Sequence, residues 1–430
     1  MMATSRTALV NAHLLDPASG LDGPGGVLVS EEIIAEIGPS VTAKSVPAGT
    51  TVIDCAGKYL APGLVDMRVQ LRDPGAEHKE TLATGGLAAV AGGVTSMVCL
   101  PNTDPVLDEE AVLEFVARRA RLVGLAKVYA YGAATKGLKG DGLAEMAMLA
   151  DAGALGFTDG VRAIANAQVM RRVLGYAATF DFLVIQHPEE PTLATGDMNE
   201  GEMATRLGLA GIPVAAEAIL LERDMRLVEL TGARYHAAHL STADGVDIIR
   251  RAKARGLPVT AETAPPYFAL NELAVGDYRT FAKLSPPLRS EADRQAIVEG
   301  LRDGTIDAIA SDHAPQPVDG KRQPMSQAEP GGIGLETLLP ITLELYHNGH
   351  LSLMEAIAKV TCEPARVLGL EAGQLKIGHQ ADMTVFDPNI GWKIDPGKFQ
   401  SKSKNSPFDG RPVQGRVLKT VVDGRLVFER

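Results

Sequence analysis

The segment Gly63-Leu-Val-Asp-Met-Arg-Val-Gln-Leu-Arg72-Asp-Pro-Gly75 carries an unusual row of polar side chains on what reads as a strand. Residues two apart on a strand face the same way, so Asp66, Arg68, Gln70 and Arg72 point together. Val65, Met67 and Val69 form the opposite, apolar face. Charges gathered on one face of a buried strand need partners. Other short apolar runs end in groups that could provide them. Asn102 lies in Leu-Pro-Asn-Thr, Asp159 in Phe-Thr-Asp-Gly, and His187 follows Val-Ile-Gln. His239 lies in Ala-Ala-His-Leu-Ser-Thr, and Asp312 and His313 lie in Ala-Ser-Asp-His-Ala-Pro. Two imidazoles and a carboxylate suit zinc, and a further carboxylate suits acid/base work. On pattern alone, such strand ends serve as readily for structural hydrogen bonds as for metal ligation.

The elements that must position these groups alternate through residues 58–371. Eight short apolar runs are Gly63–Leu71, Gly93–Leu100, Lys127–Tyr131, Ala154–Phe157, Phe182–Gln186, Tyr235–His239, Pro258–Thr263 and Ala308–Ser311. Helix-like segments rich in Ala, Leu, Glu and Arg separate them. Eight runs with helical spacers predict an α/β fold of the (β/α)8 barrel type, in which strand C-terminal ends carry the chemistry. A doubly wound sheet competes, but no GxGxxG follows the first run. Residues 1–57 and 372–430 read instead as short strands between Gly, Pro and Asp turns. They predict one small β-sandwich domain built from both termini. Within it, Val417–Val422, Asp423-Gly424 and Arg425–Glu429 predict a hairpin.

Composition narrows the function classes. The 430 residues are 45% hydrophobic and 22% charged, with a net charge of −11 and no basic tract, which argues against nucleic-acid binding. No apolar run approaches the ~20 residues that cross a bilayer. The opening MMATSRTALVNAHLLDP lacks the charged-then-apolar order of a secretory leader. Cys55, Cys99 and Cys362 are an odd number with no CxxC, and read as reduced thiols. The expectation is a cytoplasmic homo-oligomer that binds neither nucleic acid nor membrane.

The chain resembles the dihydroorotase family of long bacterial type, within the amidohydrolase superfamily, over nearly its whole length. The resemblance rests on nine strings in order: Ala61-Pro-Gly-Leu-Val-Asp66, Leu71-Arg-Asp-Pro-Gly75, Leu100-Pro-Asn-Thr103, Phe157-Thr-Asp-Gly160, His239-Leu-Ser-Thr242, Pro286-Pro-Leu-Arg289, Ser311-Asp-His-Ala-Pro315, Gly332-Ile-Gly-Leu-Glu-Thr337 and Ser401-Lys-Ser-Lys-Asn-Ser-Pro-Phe408. It implies a hydrolase of cyclic amides with two metal ions. The family's His-x-His, which holds the first ion, is Arg68 and Gln70 here. A guanidinium has no lone pair to offer, and an amide oxygen is a poor zinc ligand. Asp159, His187 and His239 match the second ion's ligands, although the family's segment around the Asp is one residue longer. Asp312 matches the carboxylate that ligates the first ion and acts as general acid/base.

Arg72 and Asn102 match the residues that grip the substrate carboxylate. Ser285 replaces the family's Asn before Pro-Pro-Leu-Arg, and Gln316 replaces its second His in Asp-His-Ala-Pro-His. Four departures in the active centre stand against a well-matched frame. The resemblance therefore implies weak or no hydrolysis, one zinc ion at most, and a guanidinium in place of a metal, paired with Asp312, Asp159 or Asp66. Family members that have lost His-x-His serve as structural partners of aspartate carbamoyltransferase, and the same role is expected here. The alternative is a working dihydroorotase with a single zinc on Asp159, His187 and His239.

Overall fold

A computed structural model describes residues 6–430. The first five residues of the N-terminal strand segment, and of the opening read as leader-free, lie outside the described residues. Eight parallel strands follow the apolar runs: Leu64–Val69, Val94–Cys99, Lys127–Ala130 continuing into Gly132–Ala133, Phe157–Thr158, Val184–Gln186, Tyr235–Ala237, Val259–Thr263 and Ala308–Ile309. The ring closes through a parallel bridge between Val69 and His313. This is a (β/α)8 barrel, with helices outside and site residues on one rim.

Why these segments are helices is visible in their ends. Ala243–Ala254 begins at Thr242, whose hydroxyl accepts from Gly245 N–H. Glu291–Arg302 begins with a reciprocal capping box between Ser290 and Asp293. Each cap satisfies N–H groups that the first helical turn leaves open. Their inner faces are apolar. Val246, Ile249, Ile297 and Leu301 are buried in the layer between helices and barrel.

The two ends of the chain build one further sheet of eight strands. Arg6–Asp16 runs parallel to Thr51–Asp54 and Tyr59–Pro62, and Tyr59–Pro62 pairs antiparallel with Met383–Lys393. Tyr59–Pro62 thus stitches the two termini together one residue before the first barrel strand begins. The Asp423-Gly424 hairpin joins Pro412–Val422 to Arg425–Glu429. Both turn residues have positive φ, 49° and 71°, as a two-residue primed turn requires. An apolar cluster of Leu9, Leu14, Val27, Leu60, Met383 and Val421 fills one face of this sheet. No helix of the described residues is long and apolar enough to cross a membrane. Burial pushes the Cys55 thiol up to about 12 and the Cys99 thiol up to about 11, which disfavours the reactive thiolate at both.

Candidate functional site

Three of the singled-out residues, Arg72, His239 and Asp312, sit where strand turns into loop, with φ of 60°, 36° and 48°. Non-glycine residues rarely hold that conformation, and it persists only where the surroundings enforce it. For His239 the enforcing group is Glu217, buried on the preceding helix. Its carboxylate accepts from the hydroxyls of Ser241 and Thr242, each at 2.6 Å, and so fixes the turn that launches the Ala243–Ala254 helix. For Asp312 the brace is Asp66, which accepts from Ser311 N–H at 3.0 Å. His313 braces the other side by accepting from Gly334 N–H at 3.2 Å, a structural role.

Gly334 packs so closely on this turn that a Cβ would overlap the Ser311 carbonyl. Backbone cannot yield as a side-chain tip can. Gly334→Ala is expected to cost about 1–3 kcal/mol through overpacking, read by urea denaturation. An unchanged midpoint would refute this close approach.

A buried hydrogen-bonded chain crosses the barrel mouth. The Glu189 carboxylate lies 3.3 Å from His187 Nε2, and His187 Nδ1 lies 2.7 Å from His239 Nε2. His239 Nδ1 lies 3.0 Å from Asp312 Oδ2, and Arg68 Nε donates to Asp312 Oδ1 at 3.0 Å. Arg68 Nη2 donates to the Gly160 carbonyl at 3.2 Å. An ionised Asp312 only accepts, so His239 must donate through Nδ1 and accept through Nε2. His187 then donates through Nδ1.

Burial alone would raise the Asp312 carboxyl, but His239 and the Arg68 guanidinium hold it well below the usual carboxylate range. Burial first, then the Arg68 charge, lowers His239 to about 4. Asp312 is therefore ionised but a weak base, far from the near-neutral pKa that suits proton abstraction. Glu189 is also held below its ordinary value by His187 and Arg289, against its burial.

The positions expected to bind metal do not converge. Asp159 turns to Thr135, accepting from its backbone N–H at 2.9 Å and its hydroxyl at 2.5 Å. It is thereby spent on the loop after the Gly132–Ala133 strand rather than gathered with the two imidazoles. Burial raises its carboxyl to about 6 despite those bonds. The two imidazole nitrogens at 2.7 Å are at hydrogen-bond separation. Two tetrahedral zinc bonds of ~2.05 Å would set them roughly 3.3 Å apart. Among the described residues, no group of three or more His, Cys, Asp and Glu is gathered to hold a metal ion. The family's metal centre does not fit this donor set, because Arg68 and Gln70 offer no imidazole and Arg68 already donates to Asp312.

The substrate-side positions are divided. Arg68, Gln70, Arg72, His239, Ser285, Asp312 and Gln316 line one cleft of about 210 Å³. A more open depression of about 600 Å³ with His187 and Glu189 adjoins it at Val161 and Ser285. Asn102 is already engaged. Its amide donates to Gln70 Oε1 at 3.0 Å, so the amide that replaces an imidazole also occupies the expected carboxylate grip. Gln316 accepts from Lys79 Nζ at 3.0 Å and donates to the Pro330 carbonyl at 2.8 Å, which ties the cleft wall. Ser285 Oγ lies 3.4 Å from Glu189. Glu189 and Glu217 are the residues that sequence reasoning missed. Glu189 follows His187 by two positions, a usable signal; Glu217 has no local signal at all.

Comparison with known proteins agrees with this frame. Residues 57–245 match the model of the dihydro-orotase-like family and residues 340–428 that of the amidohydrolase family. A dihydroorotase of Geobacter sp. (strain M21) is 46% identical over 418 residues, covering 97% of this chain and 98% of its own. One from Anaplasma phagocytophilum (strain HZ) is 48% identical over 426 residues, covering 98% and 95%. Among solved structures, the L-hydantoinase (dihydropyrimidinase) from Arthrobacter aurescens matches with a TM-score of 0.88 at 27% identity, covering 99% of this chain and 96% of its own.

Proposed function

The chain belongs to the dihydroorotase family of the amidohydrolase superfamily, a family typically metal-dependent, and from that premise we propose that it is a dihydroorotase-like protein of pyrimidine biosynthesis with weak or no hydrolase activity. One observation carries this reading: Arg68 donates to Asp312 from within the barrel, where the family places a metal ligand. Ring opening of dihydroorotate to N-carbamoyl-aspartate needs a hydroxide at neutral pH. Bound metal lowers the pKa of water from ~15.7 to ~7. Without it, positioning and a general base contribute roughly 10²–10⁴-fold, and here the base is weakened by its own ion pair. The single-zinc alternative loses support from the turn of Asp159 toward Thr135.

The frame, by contrast, is whole. We assign it a structural role in the cytoplasm as a partner of aspartate carbamoyltransferase, a role carried by the resemblance to family members lacking His-x-His. The test is a dihydroorotate assay in both directions on metal-analysed protein, with and without added zinc. Expected turnover is at most roughly 10⁴-fold above the uncatalysed background and does not respond to zinc. Turnover of ordinary enzymatic size, about 1–10³ s⁻¹, would overturn the reading. Comigration with aspartate carbamoyltransferase on a sizing column tests the partner, and separate elution rejects it.

A further inference from the structure

We propose that the junction between the barrel and the terminal sheet holds a second site, a pocket for a phosphate dianion gripped by Arg416 and Arg430. It shares no lining residue with the cleft at the barrel mouth, and it stands whether or not the barrel turns over. The pocket, of about 280 Å³, opens between the Leu82–Ala91 helix and the strands Met383–Lys393 and Pro412–Val422. Four cations line it, Lys393, Lys398, Arg416 and Arg430, against two acids, Glu336 and Asp395. In a chain with a net charge of −11, such a local excess runs against the overall field.

Both acids are committed elsewhere. Glu336 accepts from Gln400 N–H at 2.7 Å and from Ser401 N–H at 3.1 Å, and burial still raises its carboxyl to about 7. Asp395 accepts from Gly397 N–H at 3.1 Å and lies 3.5 Å from Lys398. The acid opposite Arg416 on the neighbouring strand is Asp387, and it accepts from Lys58 Nζ at 2.6 Å instead. Arg416 is left with an aromatic neighbour, its guanidinium 5.0 Å from the centre of a Trp392 ring. Its Nε is buried without an acceptor, while its Nη edge keeps exposed surface on the pocket. Arg430 uses Nε on the Val417 carbonyl at 3.2 Å, which leaves its own outer edge open. Burial, then the Arg416 charge, lowers the Arg430 pKa, so the two guanidinium groups stand within reach of each other's charge. A carboxylate presents one edge and satisfies one fork. A phosphate presents three oxygens and two charges, and can bridge both forks at once.

Trp392 is the chain's one tryptophan, so its emission reads this pocket directly. The test is a fluorescence titration of the full-length protein at constant ionic strength with inorganic phosphate, with glycerol 3-phosphate and with acetate. A saturable change is expected with a phosphate ligand, at a concentration at least about tenfold below that needed for acetate. Tighter binding of the ester would assign the pocket to a phosphorylated metabolite, and equal binding to the phosphate group itself; either supports the proposal. Arg430→Gln, at an exposed position, should weaken phosphate at least about tenfold. Arg416→Lys keeps a charge but not the fork, and should do the same. Because Arg416→Lys also alters the surroundings of the indole, urea denaturation supplies a second readout. Phosphate should raise the midpoint of the native protein and leave that of either variant unchanged. A response that is linear in added salt, that acetate reproduces at the same concentration, or that survives both arginine changes overturns the proposal.

Discussion

Arg68→Leu is expected to destabilise the protein by about 3–5 kcal/mol, the cost of leaving one member of a buried ion pair without its partner. The Asp312 carboxylate would keep His239 but lose the N–H that now reaches it at 3.0 Å. The desolvation already imposed on Asp312 would then be poorly compensated, while the leucine gained is smaller than the guanidinium it replaces. Adding Asp312→Asn should recover most of the loss, because the pair is then removed as a unit. A double-mutant cycle in urea reads this directly. Strictly additive effects would show that Arg68 and Asp312 are not coupled, and the view of Arg68 as a built-in cation would fall with them. The result is independent of the activity assay, so it tests the architecture even if residual turnover is found.

The second large effect lies one turn deeper. Burial, with a smaller contribution from the Glu262 carboxylate, raises the Asp66 carboxyl to about 7, against the hydrogen bonds it accepts from Ser311 and Arg68. Its Oδ1 receives both backbone N–H groups, and its Oδ2 is buried with no partner. The unfolded chain ionises this group near its ordinary 3.8, whereas the folded chain keeps the proton until about 7. Folding therefore takes up a proton between those values. A raised carboxyl costs stability that grows as pH rises from about 4 to 7 and is constant above. At ~1.4 kcal/mol for each unit, the penalty is on the order of 4 kcal/mol at most. Asp66→Asn removes the ionisation but keeps the accepting oxygen for Ser311. The variant is expected to match the native protein near pH 4 and to exceed it by that margin at pH 8, with the gain appearing across the interval. Denaturation midpoints at four or five pH values decide it. A gain independent of pH, or a loss at pH 8, would show that Asp66 is ionised in the fold.

The two effects oppose each other usefully. Asp312, held below the carboxylate range by His239 and Arg68, contributes stability that is present above about 4 and lost as pH falls. Asp66 contributes a penalty on the alkaline side. Stability contributed by this pair is therefore greatest in mildly acidic solution.

What the sequence determined by itself is the substitution at the centre and the frame around it. Residues two apart on a strand share a face whatever the fold, so Arg68 and Gln70 had to stand where the family's imidazoles stand once the first barrel strand was recognised. The eight apolar runs and the Asp423-Gly424 turn were legible for the same reason: period and turn chemistry are local properties. Only the tertiary structure decided which carboxylate met the guanidinium. Asp66, Asp159 and Asp312 were equal candidates, and Asp312 has it because Asp66 is held by backbone N–H groups and Asp159 by Thr135. Thr135 lies 24 residues from Asp159. Glu217 lies 24 from the Ser241 it fixes, and Asn102 lies 32 from the Gln70 that occupies it. A polar side chain in a dry barrel takes the nearest donor that neighbouring strands bring to it, and that neighbour is set by the closing of the barrel rather than by any spacing along the chain.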